Sequence, residues 1–130
     1  MSDKTAVATD KAPQPPARFS QGVRKGNILQ VAGQVGFDPA TGTPVGPGLA
    51  EQTLQTLRNV QTVLEEGGSS WADVVMMRVY LTDTAHFAEL NKVYDEWFSG
   101  IEGPLPARTT IYVGLPAGLL IEIDALAVLD

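Results

Sequence analysis

The stretch Leu119–Val128 reads LLIEIDALAV, and it limits the possible folds more than any other segment. Its isoleucines and valine favour an extended strand. With a period of two, Leu120, Glu122, Asp124, Leu126 and Val128 share one face, and Leu119, Ile121, Ile123, Ala125 and Ala127 share the other. Neither face suits full exposure to water. Such a strand belongs inside a sheet, and if helices cover one side, a ligand or a second subunit must cover the other.

The elements upstream fit that sheet. Strand candidates at 18–23 and 28–33 flank the turn Arg24-Lys25-Gly26-Asn27, which predicts a hairpin. The glycine- and proline-rich segment Gly36–Gly48 reads as a loop. Leu54, Leu57, Val60 and Leu64 then recur at helical spacing up to Gly67-Gly68. A strand follows at 73–81. A second helix, capped by Thr82, Asp83 or Thr84, carries Phe87, Leu90, Tyr94 and Trp97 or Phe98 on its apolar face. Strands at 107–113 and 119–128 complete the order ββαβαββ, an α+β sheet with two helices packed on one face. Residues 1–16, with three prolines and no periodicity, read as a flexible arm, and 17–130 as a single domain.

Composition removes several classes of function. The chain has 130 residues, 44% of them hydrophobic, which suffices for one packed core. No apolar run approaches the roughly 20 residues of a membrane span. The first residues lack an apolar signal-type core, so a cytoplasmic protein is expected. There is no cysteine, which rules out disulfides, thiolate ligands and a cysteine nucleophile. His86 is the single histidine, too little for a metal site or a nucleophilic triad. A net charge of -6 without a basic stripe argues against nucleic acid as a partner. The glycines match neither a dinucleotide fingerprint nor a phosphate loop.

Two places carry candidate chemistry. In PLPARTTIYVGLP, alternation sets Arg108, Thr110 and Tyr112 apart from Ala107, Thr109, Ile111 and Val113. If the apolar set meets the helices, Arg108 points to the opposite face, where a fixed guanidinium could grip a planar carboxylate; a salt bridge at the surface or between subunits is the other reading. On the last strand, Glu122 or Asp124 could orient or deprotonate water, or pair with a basic side chain across the sheet. Spacing does not choose between the two acids.

The chain resembles the Rid family, the reactive-intermediate imine/enamine deaminases also called YjgF-like proteins. The resemblance runs through Gln21-Gly22-Val23, Val31-Ala32-Gly33-Gln34, Leu64-Glu65-Glu66-Gly67-Gly68 and Asn91 before Tyr94. Its strongest part is Pro106-Ala107-Arg108-Thr109 followed by Ile121-Glu122-Ile123-Asp124-Ala125-Leu126-Ala127-Val128. The resemblance implies a chorismate-mutase-like fold assembled as a homotrimer, with sites in the clefts between subunits. It implies hydrolysis of 2-imino or enamine acids to 2-oxo acids and ammonia, of the 2-iminobutanoate/2-iminopropanoate type, without metal or organic cofactor.

Carried over residue by residue, Arg108 would bind the substrate carboxylate and Glu122 would orient or activate water. Phe19, Ala32, Gly33, Asn91 and Thr110 would surround the substrate, with Asp124 outside the usual catalytic set. Phe19 stands where the family has a tyrosine, Ala32 where a serine is common, and Thr110 where a cysteine is typical. Each change removes or alters a polar handle. A non-catalytic trimeric protein that binds a small carboxylate, or serves as an accessory subunit, is therefore the alternative expectation.

Overall fold

The computed structural model describes residues 3–130. Eight main elements follow in order: β1 (Thr5–Val7), β2 (Gly22–Lys25), β3 (Ile28–Val35), α1 (Leu49–Glu66), β4 (Val74–Leu81), α2 (Phe87–Trp97), β5 (Ala107–Tyr112) and β6 (Ile121–Val128). Short 3-10 turns precede β4 and α2. The six strands form one mixed sheet in the order β1-β2-β3-β6-β4-β5, antiparallel except for the β4–β5 pair. This is the expected α+β architecture with one strand added at the front.

The hydrophobic pattern of β6 is satisfied as its alternation requires. Ile121, Ile123, Ala125 and Ala127 are fully buried, and they pack with Leu57, Val60 and Leu64 of α1 and Leu90 of α2. On the opposite face Ile28 and Val128 pair across β3 and β6, yet remain 49% and 38% exposed, and Ile111 of β5 is 44% exposed. The sheet thus has one dry face and one open, partly apolar face.

Two details of the N-terminal region differ from the sequence reading. The first strand, expected at 18–23, instead runs from Gly22 to Lys25, where Gly26, at φ 59°, opens a two-residue turn that pairs Lys25 with Ile28. Of residues 1–16, expected as a flexible arm, 1 and 2 lie outside the described residues, and parts of the rest are packed. Thr5–Val7 pairs antiparallel with β2, and Ala12 is buried. The fastening comes from Gln21, whose Oε1 accepts from the Thr9 N–H at 2.6 Å. Its Nε2 donates to the carbonyls of Thr9 and Pro13 at 3.0 and 2.9 Å. Prolines cannot donate to a ladder, so a side chain of the neighbouring segment does the holding.

Helix α1 also departs from its expected face. Leu54 is only half-buried, whereas the polar residues Gln52, Thr53, Thr56 and Asn59 are buried. They are satisfied as buried polar groups must be. Gln52 Nε2 donates to the carbonyls of Gly46 and Gly118, and Gln52 Oε1 accepts from Leu120 N–H. Asn59 Nδ2 donates to the carbonyls of Val35 and Phe37. The helix therefore pins two loops at the end of the sheet where Glu122 lies. Ahead of α2, Asp83 caps the 3-10 turn by accepting from Ala85 N–H at 2.8 Å. Among the described residues no helix is long and apolar enough to cross a membrane.

Candidate active site

Glu122 lies on the open face of β6, directly across from Val35 of β3 and Tyr80 of β4. Between Val31 and Gln34 the β3–β6 register slips by one residue, so Ala32 and Gly33 together oppose Asp124. Such a bulge bends the strand and re-aims its groups. At Gly33 the backbone passes close over the Glu122 side chain: a Cβ there would stand 2.9 Å from the Glu122 carboxyl carbon. Only glycine leaves that carboxylate its place.

A cavity of about 300 Å³ opens beside Glu122 and Gly33. Its walls come from Pro13 to Pro16 of the fastened N-terminal segment, from Phe19, from Val35 and Phe37, and from Pro116 and Leu119. Partial burial pushes the Glu122 carboxyl above the usual carboxylate range, and the nearby negative charge of Asp124 adds to the rise. Asp124 itself is committed elsewhere. It accepts from Arg78 Nε and from the Tyr80 hydroxyl, each at 2.8 Å. Of the two acids that spacing could not separate, Asp124 pairs across the sheet and Glu122 has no side-chain partner among the described residues.

Arg108 lies elsewhere, and on the other face from the one its neighbours suggested. The parallel β4–β5 pairing sets Arg108 beside Met77 and Thr110 beside Val79, both of which face the helices. The guanidinium is 4.8 Å from the ring centroid of Tyr94 and 5.8 Å from that of Phe87, and its Nη2 donates to Asn91 Oδ1 at 2.7 Å. All three partners belong to α2. The expectation that Ile111 would seek the helices fails because the edge of the helical layer is aromatic and amide surface, which suits an arginine. Ile111 turns to the open face instead. Among the described residues Arg108 has no acidic partner, and Thr110 Oγ1 is buried without a hydrogen-bond partner.

The residues singled out from sequence therefore fall into two groups. Phe19, Gly33 and Glu122 line the cavity on one side. Ala32 sits in the bulge next to them; its N–H donates to Gln21 O and its carbonyl accepts from Gln34 Nε2. Asn91, Arg108 and Thr110 form the second group, under α2. Arg108 and Glu122 are two strands and three residues apart along the ladder, which puts their backbones about 14 Å apart, with side chains on opposite faces. Gln21, which lines the cavity, and Gln52 and Asn59, which hold nearby backbone, escaped the sequence reading as chemistry. Their only signal was amides among apolar helix or strand positions. Among the described residues no cluster of three or more His, Asp or Glu could hold a metal ion.

Residues 9–129 match the protein family described as Endoribonuclease L-PSP. The chain belongs to the Rid, or YjgF-like, family. A RutC family protein of Saccharolobus solfataricus is 44% identical to this Rid chain over 125 residues, covering 95% of it and 97% of the relative. The rat 2-iminobutanoate/2-iminopropanoate deaminase is 37% identical over 126 residues, covering 96% and 90%. Among solved structures, Escherichia coli TdcF with bound serine superposes with a TM-score of 0.91 at 31% identity, covering 97% of this chain and 99% of that one. The α+β Rid fold is thus shared along nearly the whole chain.

Proposed function

We propose that this Rid protein hydrolyses 2-imino acids to 2-oxo acids and ammonia at a site shared between two copies of the chain. One observation carries the reading: a partly buried guanidinium, stacked on aromatic rings and held by an amide, has no acidic partner among the described residues. A charge withdrawn from water calls for an anion. The substrate carboxylate fits that need. The rat relative is named for deamination of such acids, and the TdcF structure contains serine, which carries a carboxylate.

Glu122 supplies the second half. A carboxylate whose pKa burial has raised above the ordinary glutamate value is a better general base than an exposed one. It takes a proton from water as the water oxygen bonds to the imine carbon, and a proton reaches the nitrogen. The resulting carbinolamine then loses ammonia as the C–N bond breaks, leaving the 2-oxo acid. Gly33 leaves room for the carboxylate, and Asn91 orients the Arg108 fork. Because Arg108 and Glu122 lie on opposite faces of one sheet, Arg108 of one copy serves Glu122 of the next. A homotrimer closed through the open apolar face provides that arrangement.

The test mixes two inactive variants, Arg108→Ala and Glu122→Ala, unfolds and refolds them together, and follows 2-oxo acid release from freshly generated imines. Random assembly restores an intact Arg108–Glu122 pair at about a quarter of shared sites. No recovery on mixing refutes the shared site. No acceleration by the native protein refutes the hydrolase reading, and tight binding of 2-oxo acids without turnover identifies a carboxylate-binding protein instead.

A further inference from the structure

We infer that the cavity beside Glu122 is a side-chain subsite that selects 2-imino acids with bulky apolar side chains, branched aliphatic or benzyl, over those with a methyl or a charged group. The inference rests on the proposed hydrolase reading and specifies its substrate class. The cavity wall is rich in groups that offer water nothing. Pro13, Pro15 and Pro16 have no N–H, Phe19 has no hydroxyl, and Val35 and Phe37 are apolar.

The amide nitrogens that reach the lining have partners already. Gln21 is tied to the backbone of Thr9, Ala12 and Pro13. Gln14 Nε2 donates to the carbonyls of Thr9 and Ala12, and Gln34 Nε2 to that of Ala32. Among the described residues Glu122 is the one ionisable side chain in the lining, and its place is beside the reacting carbon. A polar side chain entering here would lose its hydration and meet few free partners, chiefly the side-chain oxygens of Gln14 and Gln34. An acidic one would also meet the Glu122 charge.

Size points the same way. About 300 Å³ is the lower end of small-molecule pockets, far more than a methyl group fills. Each methylene moved from water into the cavity is worth about fourfold in kcat/KM. The wall is also fixed in place, since Gln21 holds its proline side, and Asn59 holds Val35 and Phe37 through their carbonyls. A preformed apolar wall favours the ligand that fills it.

The experiment measures kcat/KM for imines generated in place from alanine, leucine, phenylalanine and glutamate, with binding of pyruvate and phenylpyruvate by calorimetry alongside. The expected order places the leucine- and phenylalanine-derived imines at least about tenfold above the alanine-derived one, and the glutamate-derived imine last. Val35→Thr, which keeps the shape and adds a hydroxyl, should reduce the phenylalanine-to-alanine ratio at least about threefold. Phe19→Tyr, at a half-exposed position where folding is not at risk, should reduce it as well. Equal or better turnover of the alanine-derived imine overturns the subsite and leaves the hydrolase reading standing. If no imine is turned over but phenylpyruvate binds more tightly than pyruvate, the subsite stands and the hydrolase reading fails. Equal binding of the two, without turnover, overturns both.

Discussion

Gly33→Ala puts the geometry around Glu122 to its sharpest test. The added Cβ would lie 2.9 Å from the Glu122 carboxyl carbon, with a carboxylate oxygen nearer still. Comfortable contacts between such atoms begin at about 3.5 Å, so the carboxylate must shift by close to 1 Å. The Glu122 side chain is flexible and half-buried, so it can swing aside. The stability cost therefore belongs at the low end of overpacking, about 1 kcal/mol. Catalysis is less forgiving, because a displacement of that size costs about 100-fold in rate. The assay pairs the appearance of 2-oxo acid with thermal unfolding followed by circular dichroism. The expected result is a nearly native melting curve with kcat/KM lowered about 100-fold. In the Glu122→Ala background the same substitution should cost no stability, because its steric partner is gone. Activity within threefold of native would refute the claim that Glu122 acts from its present position.

Three further outcomes follow from the same structure. Arg108→Ala should lower kcat/KM by about 100-fold, and Arg108→Lys should recover little of it, since a lysine keeps the charge but loses the two-pronged fork; steady-state kinetics across an imine panel checks both. Asn91→Ala removes the acceptor at 2.7 Å from Arg108 Nη2, and should raise KM about tenfold with a smaller change in kcat. The pH dependence has a definite sign. Burial raises the Glu122 pKa, so activity that needs the carboxylate should fall on acidification at a higher pH than an exposed glutamate would give, and Glu122→Gln should abolish that limb. The same raised pKa means that folding favours the protonated form relative to the unfolded chain. The stability from this group is present below the ordinary glutamate value and lost as pH rises through the raised one, so Glu122→Gln should melt slightly higher than native at neutral pH.

Much of the fold was legible along the chain. The alternation in β6 separated Ile121 and Ile123 from Glu122 and Asp124 correctly, because a strand has only two sides. The period of α1 was visible too, but its buried Gln52 and Asn59 were not. A glutamine reads as a surface residue until the loop carbonyls it meets are known. The contacts of the N-terminal segment were hidden for a related reason. Residues 3–16 carry little apolar material of their own, and Gln21, several residues later, holds Thr9 and Pro13 in place.

By itself, the sequence determined the α+β class, the two faces of β6, the family, and Arg108 and Glu122 as the groups worth testing. Residue type and spacing carry the class and the faces, since period is local, and the resemblance to the family picked out Arg108 and Glu122. Tertiary structure alone decided which face each strand presents to the helices. Arg108 lies under α2 because β5 runs parallel to β4 in a register that aligns it with Met77. Asp124 is tied up, and Glu122 left free, because β4 sets Arg78 opposite Asp124, while Tyr80, although opposite Glu122, turns its hydroxyl to Asp124. These outcomes depend on pairing between strands distant in the chain, which no local pattern encodes.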